Sequence, residues 1–166
     1  RLAHYDSLTG LANRLHMAQT LERILAAPNP GQRACAIFLL DLDRFKQVND
    51  TMGHPVGDAL LTQVAERLKH TVGELGRVGR LGGDEFAIVV SGDDAPDHAV
   101  RLAGCLLSAM AEPFQIDRHE LHSGVSIGIA LAPFHAGSKE QLVSYADMAL
   151  HAAKQRGRGD WEMFEP

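Results

Sequence analysis

Between Leu15 and Leu25 apolar residues fall about one helical turn apart, at Leu15, Ala18, Leu21 and Leu25, which predicts an amphipathic helix over residues 14 to 27. Pro28-Asn29-Pro30-Gly31 reads as a loop between elements. Residues 33 to 42 hold the longest apolar run, Ala34 to Leu40, closed by Asp41, and this predicts a buried strand. The stretch Asp43 to Asp50 is polar and mixed and predicts a loop. Helical periodicity returns over residues 58 to 72 through Leu61, Val64, Ala65 and Leu68.

Apolar-rich runs at 77 to 81 and 85 to 91 flank Gly82-Gly83-Asp84, the pattern of a hairpin with that turn at its tip. Residues 95 to 111 predict a second long helix, Phe114 to Ile116 with Leu121 a short strand pair, and Val125 to Ala132 another apolar strand. Ser138 and Gln141 have capping-box spacing ahead of a helix whose apolar face is Leu142, Ala146, Ala149 and Ala153. Trp161 to Phe164 predict an edge strand. This order is the split βαβ, ferredoxin-like pattern of an α+β fold, a mostly antiparallel sheet with helices on one face. No repeat or low-complexity segment interrupts it, so residues 1 to 166 are expected to form a single domain.

Composition narrows the chemistry. Lys and Arg number 16 against 21 Asp and Glu, and the net charge of -5 offers no general attraction to nucleic acid or an acidic membrane. Any phosphate ligand must therefore be met by local positive charge. The apolar run of seven residues is far short of the ~20 that cross a bilayer, so no direct membrane insertion is expected. No signal peptide is expected. Cys35 and Cys105 have neither metal-ligand spacing nor the density of a disulfide scaffold, and are expected as buried thiols in a cytoplasmic protein. Nine histidines are scattered without ligand spacing and are expected in solvated or capping positions.

Asp41 ends an apolar strand, while Asp84 and Glu85 sit at the hairpin tip. Central strands of one sheet would bring these acids together, and Mg²⁺ is commonly held by one or two carboxylates plus substrate phosphates. Either acid alone would be an ordinary strand end or turn former. The Gly82-Gly83 pair permits a sharp bend and lets phosphate approach backbone amides. Lys46 after the first strand, with Lys154 and Arg158 at the end of the last helix, would neutralise a triphosphate. By themselves, cations at a helix C-terminus serve the helix dipole and solvent.

Taken in order, Asp6 to Arg14 (DSLTGLANR), Asp41 to Lys46 (DLDRFK), Asn49 to His54 (NDTMGH), Gly57-Asp58, Arg80 to Phe86 (RLGGDEF), Ser126-Ile127-Gly128 and Ala146 to Leu150 (ADMAL) resemble the GGDEF family. The resemblance implies a nucleotidyl-cyclase-like fold that joins two GTP molecules into cyclic di-GMP across a transient homodimer, each 3′-hydroxyl attacking the α-phosphate of the opposite nucleotide. It assigns Asp41, Asp84 and the carbonyl of Leu42 to Mg²⁺, with Mn²⁺ as an alternative. Asn49 and Asp58 fall to the guanine edge, where an amide donates and a carboxylate accepts. Lys46, Lys154 and Arg158 fall to the phosphates, with Phe45, Gly82 and Gly83 completing the substrate-binding set. Asp84 or Glu85 would help remove the 3′-hydroxyl proton while Lys46 stabilises phosphate charge. Phe45 and Phe86 are expected to pack beneath the site, and Asp43 and Arg44 to be solvated without direct roles.

Departures from the pattern carry expectations too. Gly73-Glu74-Leu75-Gly76 stands where many members have a product-binding RxxD motif, so no product inhibition is expected there. His151 replaces a usual tyrosine, and Gly159 a usual asparagine, which bears on the geometry of the last helix. Residues 1 to 5 resemble a segment arriving from an upstream sensor domain, and residues 161 to 166 one that leads into a downstream EAL phosphodiesterase domain. In such tandems a GGDEF unit is either a working cyclase or a GTP-binding module that controls its neighbour.

Overall fold

The structure, a computed structural model, describes residues 2–166. Five strands form one sheet in the order β2-β3-β1-β6-β7, where β1 is Cys35–Leu42, β2 Gly76–Gly82, β3 Glu85–Ser91, β6 Val125–Ala132 and β7 Trp161–Met163. All neighbours are antiparallel except β7, which runs parallel to β6 at the edge. The strands β4 (Phe114–Ile116) and β5 (His119–Leu121) pair with each other in a separate hairpin.

Helices cover both faces of the sheet, not the one face that element order suggests. Every residue of β1 and of β6 is buried, which a sheet wetted on one side does not allow. Phe38, Leu40, Ile127 and Ile129 point to α3 (His54–Val72) and α4 (Ala95–Ala111). Ile37, Leu39 and Ala130 point the other way, to α1 (Arg14–Leu25) and α5 (Lys139–Gln155). Asp41 continues that second alternating series, so its side chain belongs to the α1/α5 face.

Two further expectations are corrected. Residues 45 to 52 form a helix, α2 (Phe45–Met52), where the polar composition suggests a loop. At two turns with only Phe45 buried, α2 is too short to display an apolar period. Gly53 at φ 93 breaks it from α3, which starts at His54, four residues before the periodic run. Cys35 is buried as expected, but Cys105 is exposed on α4. The Ser138 cap is formed as expected, its hydroxyl accepting from the Gln141 amide at 3.2 Å, and the Asn13 side chain caps α1 by accepting from the His16 amide at 2.9 Å. Among the described residues no helix is long and apolar enough to cross a membrane.

Candidate active site

At the C-terminal end of β1, Asp41 lies opposite Glu85 on β3 and opposite Ser126 on β6. The next amide, that of Leu42, donates to the carbonyl of Asp84 at 3.3 Å. The three acids are therefore gathered within one strand spacing, as the pairing of central strands requires. Asp41 is only 7% exposed. Its Oδ2 is paired with Lys154 Nζ, reaching over from α5, while Oδ1 is buried without a partner. Burial, and then the neighbouring Asp41 charge, pushes the carboxyls of Asp84 and Glu85 above their ordinary values. Arg14, 3.6 Å from Glu85, opposes this in an exposed pair.

The turn that carries Asp84 is braced from the N-terminal segment. Gly82 and Gly83 adopt φ 142 and φ 50 with open space where a Cβ would stand, so conformation and not crowding calls for glycine there. Arg80 Nε donates to the Gly83 carbonyl at 3.0 Å, and Nη1 donates to both carboxylate oxygens of Asp6 at 3.0 and 3.2 Å. Asp6 also accepts from the amide and hydroxyl of Thr9. Burial works against the Asp6 charge, but the Thr9 donors and Arg80 outweigh it and hold its carboxyl below the usual range. Motif spacing singled out both segments without linking them; the Arg80–Asp6 contact, the Arg80 amide donating to the Ala12 carbonyl at 2.9 Å and the parallel bridge of Ala12 to Gly79 bring them together.

On the other side of the β1 end, α2 carries Phe45, Lys46 and Asn49. Phe45 is 9% exposed and Phe86 fully buried, both in the core beneath the site as expected. Lys46 points to solvent, 88% exposed, and pairs with Asp50 at 3.1 Å; it touches none of the acids. Asn49 lies against α3, its Oδ1 buried and unpartnered. A Cβ at Gly57 would overlap that oxygen and stand 2.9 Å from Asn49 Cγ, so Gly57 is the notch that admits the amide. Asp58 follows it, exposed, in the second turn of α3.

Beyond α5 the chain turns through Arg158 at φ 65 and Gly159 at φ 66. Asp43 holds this turn and is not the solvated residue expected: its side chain is 11% exposed. It accepts from Ser126 Oγ at 2.7 Å and from the Gly159 amide at 3.0 Å, with Arg158 Nη1 at 3.9 Å. Glycine at 159 supplies the left-handed conformation that asparagine tolerates best among the other residues, so this departure preserves the turn. His151 is exposed on α5.

Asp41, Asp84 and Glu85 thus meet beside the Gly82-Gly83 turn, with Lys154 on Asp41 and Arg158 3.9 Å from Asp43, charges of the kind that meet a polyanion carried with a divalent cation. Residues 3–160 match the family described as diguanylate cyclase, GGDEF domain. The chain is 41% identical over 165 residues to the signaling protein YkoW of Bacillus subtilis and 40% identical over 165 residues to the bifunctional diguanylate cyclase/cyclic di-GMP phosphodiesterase MucR of Pseudomonas aeruginosa. It is covered to 99% in both cases but spans only 21% of YkoW and 24% of MucR. The crystallised GGDEF domain of TpbB from Pseudomonas aeruginosa superposes with a TM-score of 0.92 at 37% identity, covering 98% of this chain and 95% of that one. The chain belongs to the GGDEF domain family of diguanylate cyclases.

Proposed function

We propose that this domain condenses two GTP molecules into cyclic di-GMP when two copies face one another in the cytoplasm. One observation carries the proposal. Among the described residues, the two buried side-chain atoms without a hydrogen-bond partner are Asp41 Oδ1 and Asn49 Oδ1, on either side of the β1-α2 connection. A buried polar atom left unpaired costs about 1–3 kcal/mol, a cost that a bound ligand removes. These two atoms belong to the residues that the family pattern assigns to metal and to guanine.

The donor set suits a hard divalent cation. Asp41, Asp84 and the Leu42 carbonyl offer oxygens only, the donors such a cation prefers. Mg²⁺, or Mn²⁺ in its place, would complete its shell from phosphate oxygens and supply charge neutralisation. Lys154 and Arg158 meet the phosphates from α5 and its following turn. Lys46 swings in from its exposed pair with Asp50, which is worth only about 0–1 kcal/mol and yields readily to phosphate. Asp84 or Glu85, with carboxyls raised by burial and by Asp41, accepts the 3′-hydroxyl proton. Each 3′-oxygen forms a bond to the α-phosphorus of the opposite nucleotide as pyrophosphate leaves. Asn49 and Asp58 select guanine over adenine.

Incubating the protein at rising concentration with Mg²⁺ and GTP, followed by chromatography, tests this directly. Cyclic di-GMP is expected, at a rate per chain that rises with concentration, and none from ATP. A dimeric preparation that binds GTP without forming product would sink the catalytic reading. It would favour a GTP-binding module controlling an attached EAL phosphodiesterase domain. A second test addresses guanine recognition. Gly57→Ala is expected to raise the KM for GTP about tenfold or more with kcat little changed, because its Cβ evicts Asn49. Alanine is the better helix former by about 0.8–1 kcal/mol, so an unchanged KM would show that the notch has no part in binding.

A further inference from the structure

Asp41 and Lys154 are brought together by the way α5 seats on the sheet. At Gly128 the backbone of α5 lies directly on β6: a Cβ there would overlap Ala146 O and Leu150 N and stand 2.7 Å from Leu150 Cα. Gly128 pairs with Leu39 of β1, and Asp41, two residues further along β1, shares the face that α5 covers. Two strand residues advance about 6.6 Å and four helical residues about 6 Å, so the step from Leu150 to Lys154 keeps pace with the step from Leu39 to Asp41. Helix seating thus delivers the lysine to the acid, with side chains only 28% and 10% exposed.

Lys154 is the one side-chain partner of the Asp41 carboxylate among the described residues, bound at Oδ2, while Oδ1 is buried with none. A buried carboxylate needs a counter-charge, and this ammonium supplies it. Asp43 differs: Ser126 Oγ and the Gly159 amide fill its oxygens, and Arg158 stands off at 3.9 Å. A divalent cation brought to Asp41 would stand beside the ammonium, and like charges at that range repel strongly where water is scarce. The ammonium itself rides on a flexible four-carbon stem, free to leave one carboxylate for the greater charge of a triphosphate. Resting on the metal and nucleotide reading given above, we infer that Lys154 is a resident counter-ion that shuts Asp41 to a bare divalent cation. Asp41 becomes available to the cation only when Lys154 passes to the triphosphate, so metal and nucleotide load together.

Mn²⁺ binding by the intact chain, read by electron paramagnetic resonance without nucleotide, tests this apart from turnover. The parent is expected to bind weakly and Lys154→Met at least about tenfold more tightly, whereas Lys154→Arg, which keeps the charge, should stay within about threefold of the parent. Asp41→Asn added to Lys154→Met should abolish the gain. Melting temperature gives a second reading. Without metal, Lys154→Met should melt below the parent, its buried carboxylate lacking a counter-charge, and Mn²⁺ alone should stabilise it more than the parent. The parent by itself provides a reading that needs no variant to fold. Mn²⁺ should raise its melting temperature little alone, but markedly beside a GTP analogue with a methylene between the α- and β-phosphorus. Three results would each overturn the inference and leave the metal reading standing: equal Mn²⁺ affinity in the parent and folded Lys154→Met, an equal gain in Lys154→Arg, or a parent stabilised as much by Mn²⁺ alone as with the analogue. Absence of Mn²⁺ binding in every protein, with or without the analogue, would overturn both.

Discussion

Asp84→Ala is expected to keep its fold and to lower cyclic di-GMP formation by about a thousandfold. The loss follows from position: Asp84 shares the strand end with Asp41, and its neighbour Glu85 faces Asp41 across β1 and β3. Stability is expected to move the other way. The turn is held by Gly82, Gly83 and the Arg80 fork, none of which needs the Asp84 side chain. Burial and the Asp41 charge raise its carboxyl, so the folded chain holds that proton more tightly than the unfolded chain. The ionised carboxylate therefore costs stability at neutral pH, and that cost vanishes as pH falls through the raised value and below the ordinary 3.8. The variant should melt at an equal or higher temperature than the parent at pH 7, with any gain shrinking in acid. Lost activity together with a lower melting temperature at neutral pH would mean that Asp84 is a turn former and not a ligand.

Gly128→Ala has the largest expected effect on stability. The added methyl meets α5 backbone, which cannot rotate aside as a flexible side chain can. Helix and strand must separate, at a cost of about 3 kcal/mol. For a chain of this size that lowers the melting temperature by roughly 6–12 °C. Activity should fall beyond the loss of folded protein, since α5 carries Lys154 to Asp41 and leads into the Arg158 turn held by Asp43. Calorimetry and a turnover assay well below the transition separate the two effects. A melting temperature within about 2 °C of the parent would refute the close packing described.

Stability and chemistry therefore meet at the same few residues. Lys154 is at once a proposed phosphate ligand and the partner of a buried acid. Asp43, close in sequence to Asp41, holds the turn that aims Arg158. Removing such residues will confound binding with folding, whereas Asp84 and Gly57 separate the two.

Much of this was legible in the chain itself. Apolar-rich runs marked β1 and β6, and helical spacing marked α1, α3 and α5, because burial against a core imposes those patterns on the sequence. The motif from Arg80 to Phe86 identified the turn acids, since a left-handed Gly-Gly turn leaves few alternatives to glycine. Pairing partners were not legible: that Asp6 braces Arg80, that Lys154 sits on Asp41, and that Asp43 holds Gly159 depend on register between segments 74, 113 and 116 residues apart. Local propensity carries no information at such separations. Nor did it reveal that helices cover both faces, or that Gly79 and Gly128 let α1 and α5 seat closely on β2 and β6, because each depends on which strand lies beneath which helix. Local order was thus written in residue spacing, while the convergence of acids, cations and glycines was decided only when the strands paired.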